Sequence, residues 1–103
     1  MKTGNAKAWA TGPPAKADHV TASGITVTGS AVVFGTVLTA DAAAAELTVY
    51  DGTDSNGSKI CILKAAAEGS QQANFGPSGI RVEEGIYAGI EGTAAEAVIY
   101  YRD

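Results

Sequence analysis

The residues with the widest chemical reach in this chain are one histidine, one cysteine and a scatter of carboxylates, and their spacing limits what they can do together. His19 follows Asp18, with Ser23 and Ser30 as the nearest serine hydroxyls. A serine–histidine–aspartate arrangement needs a rigid support, and these residues fall where a loose leader meets a folded body, so hydrolysis is not expected. A zinc site is not expected either, because His19 and Cys61 would need two carboxylates to complete four ligands. Cys61 lies between Ile60 and Ile62 and reads as a small core residue. Asp51, Asp54 and Asn56 ahead of Gly57 invite a calcium loop. Setting Gly57 at the sixth position of a calcium-binding helix–loop–helix puts Gly52 at the first ligand position and Leu63 where a bidentate glutamate belongs, so that register fails. The segment reads instead as a hairpin connection in which Asn56-Gly57 supplies positive φ, with an irregular calcium site on Asp51 and Asp54 as the alternative.

Glu83-Glu84 and the pair Glu91 and Glu96 raise two-carboxylate glycosidase chemistry. Neighbouring residues of a strand point to opposite faces, so Glu83 and Glu84 should not share a site and read as solvated charges or edge protection. Glycines are frequent, yet no G-x-G-x-x-G or phosphate-loop spacing occurs. Tyr87, Tyr100 and Tyr101 are candidates for a sugar platform, against the alternative that they are core or interface residues. No catalytic constellation, cofactor or metal site is expected.

The elements that carry these residues follow from turn signals spaced about every ten residues. Apolar segments at Glu46–Tyr50, Ser58–Lys64, Gly85–Ile90 and Ala95–Tyr101 alternate with Asp51–Gly57, Gly76-Pro77-Ser78-Gly79 and Glu91-Gly92-Thr93. Two β-branched runs, Ile25–Thr28 and Ala31–Thr39, precede them. Asp41–Ala45 reads as a loop. The expectation is an all-β chain: a single β-sandwich, jelly-roll-like domain over residues 20–103, behind an extended amino-terminal arm over residues 1–19. The arm contains Gly4, Gly12 and Pro13-Pro14, lacks helical or alternating periodicity, and holds Trp9, a large apolar side chain that needs a pocket on its own body or on a neighbour.

Three strands are apolar on both faces by simple alternation: Val33 and Val37 against Val32, Phe34 and Leu38; Ile60 and Ile62 against Cys61 and Leu63; Ile99 and Tyr101 against Val98 and Tyr100. Strands covered twice in so small a domain imply that the second cover is another subunit. Val33, Phe34, Ile60, Ile62, Ile99 and Tyr101 are therefore the expected core or oligomer interface. With 103 residues and one cysteine, no intrachain disulfide staples the fold. The formal net charge of −4 divides into +2 over residues 1–22 and −6 over residues 23–103. An acidic body does not hold a phosphate backbone, so nucleic acid is not an expected partner. No apolar run suggests a signal peptide or a membrane span, and the expectation is a soluble protein made in the cytoplasm.

The carboxyl-terminal two thirds resembles small structural proteins of tailed-bacteriophage virions. The resemblance rests on the turn Tyr50-Asp51-Gly52-Thr53, the strand from Ser58 to Ala65, and Asn74-Phe75-Gly76-Pro77-Ser78-Gly79-Ile80. It continues through Glu84-Gly85-Ile86-Tyr87-Ala88, Ile90-Glu91-Gly92-Thr93 and the closing strand Ala97-Val98-Ile99-Tyr100-Tyr101. It implies a β-sandwich head-decoration or cement-type protein, often trimeric, with no catalytic residues to carry over. The expected function is thus a virion structural protein, a homotrimer that stabilises the head shell. Its partners would be the major capsid protein or other virion subunits, with no membrane and no small-molecule substrate. The expected shell-binding arm comprises Lys2, Lys7, Trp9, Pro13, Pro14 and Lys16. The alternative is a receptor- or carbohydrate-binding appendage of the fibre, neck or tail.

Overall fold

β-Branched runs broken by glycine-containing turns have only sheet to form, and in the computed structural model, which describes residues 15–103, they build two antiparallel sheets packed face to face. The strands are β1 (Lys16–Val20), β2 (Gly24–Thr28), β3 (Ala31–Thr39), β4 (Ala45–Asp51), β5 (Ser58–Ala65), β6 (Ser70–Asn74), β7 (Ile80–Val82), β8 (Gly85–Glu91) and β9 (Glu96–Arg102). The first sheet runs β1-β9-β3-β6, with β7 also on β3; the second runs β2-β8-β4-β5. The pairs β1 with β9, β2 with β8, β3 with β6 and β4 with β5 nest inside one another, which is the wrapped-ribbon topology of a jelly roll. The expected single β-sandwich is therefore the fold.

Between the sheets lie Val33, Leu38 and Ile99 from the first and Leu47, Val49 and Ile86 from the second, none of them exposed. Thr36 interrupts this apolar layer, and its hydroxyl is buried without a satisfied hydrogen bond. The Cys61 thiol of the opposite sheet is close enough to feel it without making a hydrogen bond. Burial, the larger influence, pushes the Cys61 thiol above its usual range, with Thr36 opposing in part.

Three bulges correct the alternation read from the sequence. Register shifts at Ile25/Val27, Val33/Gly35 and Val49/Tyr50 leave Thr26, Phe34 and Ile60 as the extra residues. Beyond Phe34 the parity of β3 reverses, so Val33 and Leu38 both point inward while Val37 joins Val32 on the outside. Beyond Ile60, Cys61 and Leu63 pack inward with Ile60, and Ile62 is left 46% exposed. On the outer side of β5, Ile62 therefore stands between Lys59 and Lys64, outside the core of this chain.

Other local expectations also change. Lys16 to His19, expected in the arm, form strand with Val20 and pair with β9; the polar sequence Lys-Ala-Asp-His-Val suits the edge of the described sheet. Asp18 also accepts a hydrogen bond from Thr26 of the opposite sheet at 2.7 Å, so the first bulge ties the two sheets together at this edge. Glu83 and Glu84 lie in the turn between β7 and β8, not in a strand. Gly57 does not supply positive φ; it is required because a Cβ there would stand 2.4 Å from the Asp51 carbonyl oxygen.

This burial separates two substitutions that simple alternation treats alike. Ile99→Asp buries an unpaired charge at a site with no exposure and should abolish cooperative unfolding, a loss above about 4 kcal/mol. Ile62→Asp should stay within about 1 kcal/mol of the parent in a urea titration monitored by circular dichroism.

Candidate functional site

The chemistry-bearing residues are dispersed by the fold. His19 projects from edge strand β1 and meets the Glu96 carboxylate at 2.8 Å, both side chains well exposed. Asp18 is engaged by Thr26, and Ser23 exchanges hydrogen bonds with the backbone of Ile90, so neither joins His19. Glu91 belongs to the outer face of the second sheet and Glu96 to that of the first, which separates that pair. Asp51 uses its carboxylate to accept the backbone N–H groups of Glu83 and Glu84, the nearer at 3.0 Å, and so pins the β7–β8 turn to the end of β4. Asp54 accepts the N–H of Asn56 at 2.8 Å, an Asx turn. Among the described residues, no three histidine, cysteine, aspartate or glutamate side chains group as metal ligands.

Two surfaces remain, one on each sheet. On the first sheet, the bulge at Phe34 and the alternation of β9 place Val32, Phe34, Val37, Val98 and Tyr100 together on the outer face. Tyr100 is 41% exposed and the other four are half-buried. Phe34, Val37, Tyr100, Gln72 and Asn74 line a shallow groove of about 260 Å³. The Arg102 guanidinium lies 5.2 Å from the centre of the Phe34 ring, a cation–π contact worth about 0.5–1 kcal/mol at an exposed position. At the margin of this face Arg81 pairs with Glu83 at 3.3 Å and His19 hydrogen-bonds Glu96, while Lys16, on the same side of its strand as Tyr101, pairs with Asp103 at 2.8 Å. The shared hydrogen bond holds Lys16 above and Asp103 below their usual ranges. Residues 15–103 carry five basic and eleven acidic side chains. Arg81 and Arg102 balance Glu83 and Glu96 around this face, so the acidic excess of the body lies elsewhere.

Of the remaining interface candidates, Val33 and Ile99 are wholly internal, and Ile60 and Tyr101 pack against the core from its margin. Phe34 alone of the six lies on the outer face of the first sheet. Lys16 lies in β1, while Lys2, Lys7, Trp9, Pro13 and Pro14 fall outside the described residues. The three tyrosines do not form one platform: Tyr87 is on the second sheet, Tyr100 faces outward on the first, and Tyr101 turns toward the core. Tyr87 instead pairs with Tyr50 on the outer face of the second sheet, ring centres 5.9 Å apart and planes at 56°. Sequence reasoning missed Tyr50 as a partner, because the pairing depends on β4 and β8 lying side by side in one sheet.

No family model matches this chain. No curated protein matches it either.

The use Asp51 makes of its carboxylate is testable against the calcium alternative. Asp51→Ala removes the acceptor for two backbone N–H groups and should cost about 1–3 kcal/mol in denaturant unfolding. Calcium at millimolar concentration should leave the melting temperature of the parent protein unchanged.

Proposed function

We propose that this chain is a structural protein of a tailed-bacteriophage virion, a decoration or cement protein that binds and stabilises the head shell. The observation that carries this reading is the outer face of the first sheet: apolar, charge-balanced, and formed in part by β1, the strand into which the amino-terminal arm leads. An acidic body repels another acidic surface everywhere except at a neutral face, so this face is where copies of the chain meet, in the proposal as a homotrimer. The ordered motifs of residues 45–102 support the virion assignment, and jelly rolls occur among viral capsid domains. Fold analogy alone would not carry it.

The mechanism is assembly by added interface. An oligomer presents several arms at once, so individually weak contacts with the major capsid protein add up to high avidity. Binding only the assembled shell raises the free energy needed to open it. Lys2, Lys7 and Trp9 are the arm residues suited to hold an acidic, pocketed surface, with Trp9 as the apolar anchor.

Removing residues 1–14 spares every strand of the described residues, the first of which begins at Lys16. The truncated protein should keep the melting temperature of the parent but lose most of its occupancy on undecorated shells in a co-sedimentation assay. Trp9→Ala in the full chain should weaken attachment by about 2 kcal/mol. Undiminished occupancy of the truncated protein would move the attachment surface onto the body.

A further inference from the structure

The outer face of the second sheet carries a groove that the assembly reading does not use. Antiparallel register sets its side chains in three rows: Lys64, Glu46 and Glu91; Ile62, Thr48 and Gly89; Lys59, Tyr50, Tyr87 and Ile25. Gly89, between the carboxylate row and the tyrosine row, contributes no side chain, and the Tyr50 ring edge passes 3.4 Å from where its Cβ would stand. The sheet surface is therefore low at its centre, where the Tyr50 ring leans over Gly89 beside the buried Thr48. A depression of about 230 Å³ forms there over Thr48 and Gly89, with Tyr50, Tyr87 and Ser55 at one end and Glu46 and Glu91 at the other. A second depression, of about 500 Å³, continues past the same two glutamates to Lys64 and Gly92.

The mixture of groups selects the ligand class. A second protein surface laid here would bury Glu46, Glu91 and Lys64 away from water without matched partners, which is costly. A phosphate-bearing ligand would meet two carboxylates in register. A polyhydroxylated ring meets neither objection: its C–H face lies against an aromatic ring, and its neighbouring hydroxyls donate to carboxylate oxygens, which accept only. Like charges directly opposite across a strand pair are destabilising, and hydrogen bonds donated to both relieve them. We propose that this groove binds an oligosaccharide. One sugar ring stacks on Tyr87 in the depression beside Gly89 and the Tyr50 ring edge, its hydroxyls donate to Glu46 and Glu91, and the next residue of the glycan continues toward Lys64. This site does not depend on the virion assignment, and shell attachment is measured separately from it.

The test is a glycan array of neutral, amino and sialylated oligosaccharides probed with the full chain, followed by titration of the strongest hit into ¹⁵N-labelled protein. At least one oligosaccharide should bind, with amide shifts centred on Thr48, Tyr87 and Gly89. Tyr87→Ala and Glu91→Gln should each weaken binding about tenfold. Gly89→Ala adds a methyl group that the fold accommodates, at 3.4 Å from the Tyr50 ring, and should weaken binding about fivefold with an unchanged melting temperature. Tyr100→Ala, on the other sheet, should leave affinity unchanged. An array with no bound glycan, shifts centred on the first sheet, or undiminished affinity in Gly89→Ala and Tyr87→Ala would overturn the proposal.

Discussion

One extra residue in β3 sets the geometry on which both sheets depend. Among the described residues β3 is the only strand that pairs with three others, and Phe34 sits where its edge passes from β7 to β6. On the β9 side Phe34 is skipped by the register; on the other side its carbonyl accepts the Phe75 N–H at 2.9 Å. Gly35 allows the switch, because a Cβ there would stand 2.7 Å from the Ala73 carbonyl oxygen. Without the bulge, a strand of period two that turned Val33 inward would turn Leu38 outward, and the core would lose one of its largest side chains. The same bulge expels Phe34 to the outer face, where Arg102 caps it. Core completion and the apolar outer face are two results of one backbone irregularity.

The two outer faces differ in kind. The first sheet is apolar with its margin charges paired, so it carries little field of its own in a body with an excess of acid. Such a surface suits contact with protein, where net like charge would otherwise oppose approach. The second sheet places rings, carboxylates and lysines in rows around an open centre, a pattern that suits a small polar ligand better than a broad interface. Edge strands β1 and β5 carry Lys16, Lys59 and Lys64, which discourage further strand addition.

Much of the sandwich was legible in the sequence because the strongest signals are local. β-Branched runs between glycine-containing turns located β2, β3, β4, β5, β8 and β9 to within a residue or two. β1, β6 and β7 were not legible: Lys-Ala-Asp-His-Val and Ser-Gln-Gln-Ala-Asn are polar edge sequences whose strand character comes from their partners, and Ile-Arg-Val is too short to signal alone. The bulges were hidden for a related reason. Nothing in Val33-Phe34-Gly35 distinguishes a bulge from continuous alternation until β9 and β6 are laid beside it, so faces assigned by parity were wrong beyond Phe34 and at Ile60. The tyrosine platform failed because pairing Tyr50 with Tyr87 depends on which strands share a sheet, a long-range property.

The central claim is that this chain works as an assembled coat component, and the number of copies per particle tests it most directly. Quantitative mass spectrometry of purified particles that carry the chain, calibrated against their major capsid protein, counts those copies. The account predicts a stoichiometric ratio to the major capsid protein, hundreds of copies spread over the head. A handful of copies confined to the tail or a tip would contradict it.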